Sequence, residues 1–314
     1  MSITVIKPGL QTTIQAGPRI GSRHLGVPAN GAADPLSLAL ANKLVGNDWD
    51  APALEATLLG PVLRFEAPCL FALTGARTAA TLNGAALLQH KSVVAMPGDV
   101  LAAGSAEIGV RVYISIAGGL QADDVLGSRS TNLQAGFGGL QGRALQTGDV
   151  LAFESRDTVP LETPEMFRLP LSTSWGLRTC VGKEAPLFAD EVLARFFDTN
   201  WLIDRRSDRM GLRLEGPALE SKSDGRMPSA GVFPGTIQCP EDGLPYILSV
   251  DAGTVGGYPR IAQVTRADRH ILGQLRQGDH VRLLRRDPDE ALEELRAKIG
   301  YWQDWLPDIE EILR

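Results

Sequence analysis

The stretch GTIQCPEDGLPYILSV, residues 235–250, indicates the fold class. Two short runs rich in β-branched and aromatic residues, 236–239 and 246–250, flank a turn built from Pro240, Glu241, Asp242 and Gly243. Runs of this length, bounded by turn residues, are typical of strands, and the stretch therefore predicts a β-hairpin. Similar runs predict strands at 62–65, 70–74, 111–116, 150–153 and 280–284.

The composition agrees with a chain rich in turns. Its 314 residues include 34 Gly and 20 Pro. This share is larger than the roughly 12% that Gly and Pro together make up in average proteins. This excess argues against an all-helical bundle. The hydrophobic share of 44% and the charged share of 22% are those of a soluble globular protein, and the length predicts about two domains.

Helices are predicted in four places. Asp34 as N-cap, Pro35 at the first position and Gly46 as the stop define a helix over 36–45. Helical spacing of apolar residues predicts a second helix over 186–197. A third follows Asp287 and ends at Gly300, and the tail 301–314 is predicted to add a short amphipathic helix.

A Gly-Asp pair recurs before three apolar strands, at Gly98-Asp99, Gly148-Asp149 and Gly278-Asp279. The recurrence indicates two related β-rich halves, joined by residues 157–170. Because closed barrels leave no sheet edge exposed, we expect a mainly β chain with two barrel subdomains. The predicted boundaries are 1–160 for the first, 165–286 for the second, and 287–314 for a helical tail.

Several classes of function are disfavoured. No apolar run approaches the roughly 18 residues that span a bilayer, so no membrane association is expected. The formal net charge of −6 weighs against nucleic-acid binding. The three cysteines are far apart, which favours free thiols and a cytoplasmic location. The four histidines lack metal-ligand spacing, and no Met-Lys-Met triplet marks a covalent biotin site.

Three glycine-rich segments concentrate polar residues, and each is open to a functional and a structural interpretation. Segment 127–132 places hydroxyl groups beside Arg129, and this combination can bind a carboxylate or a phosphoryl group. Segment 136–143 contains four glycines whose N–H groups suit an anion. The third comprises 207–211, 235–238 and 251–259 and ends in a loop after a strand. For the first and third segments, simple turn chemistry is the alternative, and for the second it is a flexible hairpin tip.

These segments, in this order, resemble the allophanate hydrolase subunit 2 family, which includes the C subunit of 5-oxoprolinase and the second half of the urea carboxylase carboxyltransferase domain. The similarity runs from residue 3 to about 284. It rests on an ordered set of short motifs: 12–15, 26–28, Asp34, Ser37, 41–47, 54–57, 60–61, 127–131, 142–143, 148–149, 207–211, 214–217, 237–238 and 256–259.

The resemblance implies two tandem cyclophilin-like β-barrel subdomains. It also implies an enzyme, a hydrolase opening the cyclic amide 5-oxo-L-proline to L-glutamate with ATP. Such an enzyme acts only as a complex with subunits A and B, of which the second is of the allophanate hydrolase subunit 1 type. The resemblance does not decide whether ATP binds to this chain or to a partner subunit.

Two alternatives to this function remain. One is a carboxyltransferase module of a biotin-dependent urea carboxylase-like system. The other is a non-catalytic regulatory partner of the allophanate hydrolase subunit 1 type protein.

Under the family interpretation, we expect Arg129 and Ser130 to bind an anion. Asp208 and Arg209 are predicted to be a catalytic pair of acid and orienting cation. Gln238, Thr254 and Tyr258 are expected to line the pocket.

The chain departs from the family pattern at two places. Ala16-Gly17-Pro18 stands where the family usually has Asp-x-Gly, so the acid is missing and a proline replaces the glycine. Lys183-Glu184 stands where the family usually has Pro-Gln. These departures are consistent with a divergent paralogue that acts on another amide or carbamoyl compound.

Overall fold

A computed structural model describes residues 1–154, 156–222 and 227–314, which divide into two compact units. Unit 1 contains residues 1–20, 30–171 and 305–312, whereas unit 2 contains residues 21–29, 172–304 and 313–314. The expected boundary at 160–165 therefore lies after residue 171. The tail is divided between the units instead of standing apart from them.

Unit 1 contains eleven strands in the described residues. They are β1 (Ser2–Lys7), β2 (Gln11–Gln15), β3 (Ala53–Thr57), β4 (Val62–Phe65), β5 (Cys69–Thr78), β6 (Thr81–Leu82), β7 (Ala85–Ala86), β8 (Val93–Ala95), β9 (Val100–Ala102), β10 (Ala106–Ile116) and β11 (Val150–Ala152). They form one sheet in the order β11-β1-β4-β9-β6-β7, called sheet A, and a second in the order β2-β3-β10-β5-β8, called sheet B.

Unit 2 contains nine strands in its described part. They are β12 (Ser174–Val181), β13 (Asn200–Ile203), β14 (Gly211–Glu215), β15 (Ala230–Gly231), β16 (Thr236–Gln238), β17 (Tyr246–Leu248), β18 (Val255–Gly256), β19 (Arg260–Val264) and β20 (His280–Arg286). Seven of them close into a barrel in the order β12-β19-β16-β17-β14-β13-β20, with β20 pairing parallel to β12. The other two, β15 and β18, form a separate ribbon.

The helices are few. They are α1 (Pro35–Leu44), α2 (Asp190–Asp198), α3 (Pro288–Trp302) and α4 (Ile309–Ile312), with short 3-10 helices at Arg23–Leu25, Glu165–Phe167, Ala185–Leu187 and Arg266–Gly273. None of these described helices combines the length and the hydropathy that crossing a bilayer requires.

One apolar core joins the two sheets of unit 1. Ile3 and Val5 of β1 point into it because alternate residues of a strand face the same side. Phe65 of sheet A meets Phe71 of sheet B with ring centroids 5.0 Å apart. Helix α1 covers the other face of sheet B, where Leu38 packs with Tyr113. Sheet B is therefore buried on both faces around its central strand β10.

The structure confirms the mainly β fold with few helices. The predicted hairpin forms between β16 and β17, with Ile237 opposite Ile247, and Gly243 N–H donates to the Pro240 carbonyl at 3.0 Å. Asp34 caps α1 as predicted, accepting from Ser37 N–H at 3.0 Å. A closed barrel is found in unit 2, whereas the strands of unit 1 are arranged as two sheets around one core.

Two predicted helix ends were misplaced. Helix α2 begins at Asp190 instead of 186, because Pro186 lies in a separate 3-10 turn and Phe188 is extended. Helix α3 continues through Gly300 to Trp302, whose buried side chain contributes to packing beyond the predicted stop.

Candidate functional site

A cleft of about 520 Å³ opens on unit 1. Its lining comes from segments 16–18, 47–52, 118–120 and 126–129, together with Ile20, Asp124, Arg156 and Glu311. The predicted anion-binding residue Arg129 is part of this lining. The volume lies within the range of about 300–1,000 Å³ that small-molecule sites occupy.

Arg129 is exposed between two buried serines. The Ser128 hydroxyl donates to the Gly17 carbonyl at 2.7 Å, and the Ser130 hydroxyl accepts from Ala16 N–H at 2.9 Å. Ser130 also bonds the carbonyls of Ala16 and Gly17. In this structure Ser130 therefore fixes the loop that carries Arg129, and its hydroxyl is occupied by backbone groups.

Arg19 braces the same loop from inside the protein. Its side chain is fully buried. The guanidinium donates to the carbonyl of Val125 at 2.7 Å and of Ser130 at 3.1 Å, and it lies over the Phe137 ring at 4.8 Å. Arg19 directly follows residues 16–18, where the chain departs from the family pattern. Nothing in the sequence indicated that its side chain would be buried beneath Arg129.

The segment 136–143 serves packing. A Cβ at Gly138 would lie 2.3 Å from the Ser130 carbonyl oxygen, and one at Gly139 would lie 1.9 Å from Thr131 Oγ1. Both glycines have a positive φ, which only glycine adopts readily. The structural interpretation of this segment is therefore favoured, since these glycines allow close approach to the Arg129 loop.

Two asparagines hold the acidic wall of the cleft, segment 47–52. Asn42 Nδ2 donates to the carbonyls of Trp49 and Ala51 at 3.1 and 2.9 Å. Asn47 Nδ2 donates to the Ile116 carbonyl at 2.8 Å, and its Oδ1 accepts from Gly118 N–H at 2.8 Å. The motif at 41–47 thus positions two sides of the cleft.

A buried polar network lies between sheet B and the start of α1. Tyr113 donates to Glu55 at 2.7 Å and accepts from Asp34 N–H at 2.8 Å. Arg111 pairs with Glu55 at 3.3 Å, both side chains being almost fully buried. Burial, with the charges of Glu55 and Asp34, raises the pKa of Tyr113 well above its usual value. Tyr113 therefore stays protonated as a hydrogen-bond donor.

In unit 2 the predicted pair of Asp208 and Arg209 is not formed. Arg209 instead pairs with Asp251 through two bonds, Nε to Oδ2 at 2.7 Å and Nη2 to Oδ1 at 3.0 Å, and both residues are buried. Asp208 is exposed and accepts from the N–H groups of Met210 and Gly211 at 2.7 and 3.2 Å. Local turn geometry satisfies Asp208, whereas the tertiary fold brings Asp251 to Arg209.

The loop 251–258 is held at both ends by predicted site residues. Arg209 binds its first residue, Asp251. Gln238 is buried and donates to the carbonyl of Tyr258 at 3.5 Å. Between these anchors Thr254 is partly exposed, and the Tyr258 side chain is 45% exposed. The structure thus brings Arg209, Gln238, Thr254 and Tyr258 to one loop.

Glu184, one of the two departures, holds the neighbouring ribbon. Its carboxylate accepts from Arg260 Nε at 2.6 Å, while Arg260 Nη1 donates to the carbonyl of Gly231 in β15 at 3.0 Å. The hydrogen bond from Arg260 lowers the pKa of Glu184. The acid at this position therefore has a structural partner.

No set of three His, Cys, Asp or Glu side chains in the described ranges is arranged to hold a metal ion. The three cysteines are free. Burial raises the pKa of Cys69 and Cys239 to about 12, which keeps both thiols protonated at neutral pH.

Comparison with known proteins gives a consistent result. Residues 25–285 match the family model described as carboxyltransferase domain, subdomain A and B. The chain is 36% identical to the C subunit of 5-oxoprolinase from Escherichia coli, covering 96% of each chain. It is 33% identical to urea amidolyase of Saccharomyces cerevisiae, over 90% of this chain and 16% of that protein.

Among solved structures, the urea carboxylase of Kluyveromyces lactis superposes with a TM-score of 0.89 at 31% identity. The match covers 96% of this chain and 29% of that one. The protein TTHA0988 superposes with a TM-score of 0.82 at 33% identity, over 90% of this chain and 55% of the other. The chain thus spans a fraction of these larger solved structures.

Proposed function

Since this chain belongs to the family of the carboxyltransferase domain, subdomain A and B, we propose that it is the C subunit of an ATP-dependent 5-oxoprolinase-type complex. The reaction opens the lactam ring of 5-oxo-L-proline to give L-glutamate. One observation carries the proposal: the similarity to the E. coli protein named as the C subunit of 5-oxoprolinase extends over 96% of both chains. The Haemophilus influenzae protein of that name is 34% identical, with 90% of its length matched.

The chemistry explains the need for ATP and for several subunits. A lactam is stabilised by resonance, so water attacks its carbonyl slowly. Transfer of the terminal phosphoryl group of ATP to the lactam oxygen would make that carbon electrophilic. This transfer releases ADP. One water molecule then adds to the activated carbon and the ring C–N bond breaks to leave an acyl phosphate, which a second water molecule hydrolyses to L-glutamate and phosphate. We propose that subunits A and B complete the machinery, with ATP binding shared or located on a partner.

The role of this chain would be to hold the carboxylate of the reactant. Arg129 offers a guanidinium on a loop already fixed by Arg19, Ser128 and Ser130. Because the backbone of this loop is already fixed, binding costs less conformational entropy than ordering a free loop would. In unit 2, Thr254 and Tyr258 lie on the loop fixed by Arg209 and Gln238. These residues remain the proposed site.

The direct test is to co-express the chain with subunits A and B and to measure ATP-dependent release of L-glutamate from 5-oxo-L-proline. We expect glutamate only when all three proteins and ATP are present. Controls omit ATP or this chain. A complete, correctly assembled complex that forms no glutamate would show that 5-oxoproline is not the substrate.

The second candidate is a carboxyltransferase module, favoured by the TM-score of 0.89 with the K. lactis urea carboxylase. In that case the carboxyl group would come from carboxybiotin on another protein and pass to a urea-like nitrogen. Incubation with a biotin carboxylase, a biotinylated carrier, bicarbonate, ATP and urea distinguishes the two candidates. Carboxylation of urea that requires this chain would support the second candidate and not the first.

A further inference from the structure

The arginines in the described part of unit 1 fall into three groups. Five are paired with carboxylates: Arg64 with Glu66, Arg77 with Glu107, Arg111 with Glu55, Arg143 with Asp149 and Arg168 with Glu162. Arg19 is bonded to backbone carbonyls. The guanidiniums of Arg129 and Arg156 have no hydrogen-bond or ion-pair partner in the described part of the chain, and both line the cleft.

Two acidic residues of the cleft likewise have no ion-pair partner among the described residues. The carboxylates of Asp48 and Asp50 are exposed and form no ion pair among the described residues. Asp124 differs, since it accepts from Gly127 N–H at 3.1 Å and so shapes the turn before Arg129. Uncompensated charges of both signs therefore line one concave surface.

The balance of these charges restricts the ligand. Among the residues that the structure describes, four carboxylates line the cleft, from Asp48, Asp50, Asp124 and Glu311, against the two guanidiniums. A ligand whose charged groups are all carboxylates would pair with the arginines but would leave the carboxylates of the cleft without a cation to balance them. A ligand that also has an ammonium group would use both sets of charges.

We propose that this cleft binds a small α-amino acid as a zwitterion, its carboxylate held by Arg129 and Arg156 and its ammonium by Asp48 and Asp50. Guanidinium groups suit planar bidentate recognition of carboxylates. Within this class we choose L-glutamate, a choice that rests on the proposed function, since it would be the product. The lactam 5-oxo-L-proline lacks the ammonium and is expected to bind more weakly.

The test is titration calorimetry on the full chain alone at constant ionic strength, with three probes: L-glutamate, glutarate and 5-oxo-L-proline. Glutarate has both carboxylates of glutamate without the ammonium. We expect L-glutamate to bind more tightly than either. Arg129→Gln should weaken its binding by about tenfold or more, the effect of losing a charged hydrogen bond. The matched control Arg77→Gln, an exposed arginine outside the cleft, should bind like the wild type.

A second variant tests the acidic half of the cleft. The double change Asp48→Asn and Asp50→Asn should reduce the affinity for L-glutamate towards that for glutarate. The proposal is overturned if L-glutamate shows no saturable binding at millimolar concentration, if glutarate or the lactam binds as tightly, or if Arg129→Gln matches Arg77→Gln. Glutamate release by the complex is measured separately. An inactive complex with normal binding by this chain would contradict the proposed function alone.

Discussion

At the residue scale, burial separates the predicted site residues into two kinds. Arg129 and Tyr258 are exposed, whereas Ser130, Arg209 and Gln238 are buried and bonded inside the protein. The buried ones hold the backbone that presents the exposed ones. A sequence motif does not distinguish these roles, because serine or arginine supplies the same donors to a ligand and to a carbonyl.

The contrast between two arginines gives the first prediction. Arg19→Met removes the donor to the buried Ser130 carbonyl and one of the two donors to the Val125 carbonyl, and we expect it to lower the free energy of unfolding of unit 1 by about 2–4 kcal/mol. Arg129→Met, the same change at an exposed position, should alter it by less than about 0.5 kcal/mol. Urea denaturation followed by circular dichroism measures both. Equal effects of the two changes would contradict the bracing role of Arg19.

Glu184 gives a pH-dependent prediction. Because the hydrogen bond from Arg260 lowers its pKa in the folded state from 4.5, its ionised form stabilises the protein above that pH. This contribution is lost as the pH falls through the lower, folded-state pKa. Glu184→Gln should therefore lower the free energy of unfolding at pH 7 by about 1–2 kcal/mol.

The same variant should also lose less stability than the wild type between pH 5 and pH 2, as thermal unfolding at each pH would show. Asp198→Asn, which breaks an exposed ion pair with Arg282, is the matched control within unit 2 and should follow the wild-type pH profile closely. A Glu184→Gln profile parallel to that of the wild type would show that the ion pair contributes nothing to stability.

At the element scale, the recurring Gly-Asp pair forms the same turn three times. In each turn the aspartate carboxylate accepts an N–H from the residue three positions earlier: Met96, Gln146 and Arg276, at 2.7, 2.7 and 2.9 Å. The backbone of each Gly-Asp pair exchanges two hydrogen bonds with one strand residue: Phe65, Val5 and Ile203. The sequence pattern thus predicted a structural device that both units share.

Substitution of these turn glycines should have equal effects. Gly98, Gly148 and Gly278 have φ between +86 and +92°, and a Cβ at each would meet no atom within 4 Å. Changing any one to Ala should therefore cost only the backbone strain of a positive φ, about 1–2 kcal/mol. Thermal unfolding of the three single variants measures these costs.

Gly118→Ala is the contrasting case. Its Cβ would lie 2.0 Å from the Glu154 carbonyl oxygen, so we expect a larger loss of stability than at the three open positions. If Gly118→Ala lowered the stability no more than Gly148→Ala does, the close contact with Glu154 would not be what excludes a side chain at position 118.

At the scale of the whole molecule, the C-terminal tail belongs to both units. Leu295 and Trp302 are buried in unit 2, and Leu306, Ile309 and Ile312 are buried in unit 1. Each such side chain contributes about 1.5–3 kcal/mol, against a total stability of about 5–15 kcal/mol for a domain. Truncation after Arg286 should therefore abolish cooperative thermal unfolding, measured by calorimetry.

Exposed tail residues give the control and a test of partner contact. Leu292 and Tyr301 are 43% and 48% exposed, so Leu292→Ala with Tyr301→Ala should keep the wild-type melting temperature. Gel filtration of this variant with the B subunit of the proposed complex then tests whether the tail binds that partner, without unfolding the chain. A truncated chain that melts like the wild type would disprove the structural role of the tail.

The sequence by itself determined the mainly β fold, the hairpin at 235–250, the cap of α1 and the Gly-Asp turns, because local hydrogen bonding and backbone preference dictate them. It also marked Arg129 and loop 251–258 as candidates. Only the tertiary structure decided that Asp251 and not Asp208 pairs with Arg209, that Arg19 lies beneath Arg129, and that Asp48 and Asp50 share a cleft with Arg129 and Arg156. These groups are far apart in the chain, and close packing within each folded unit sets which charges meet.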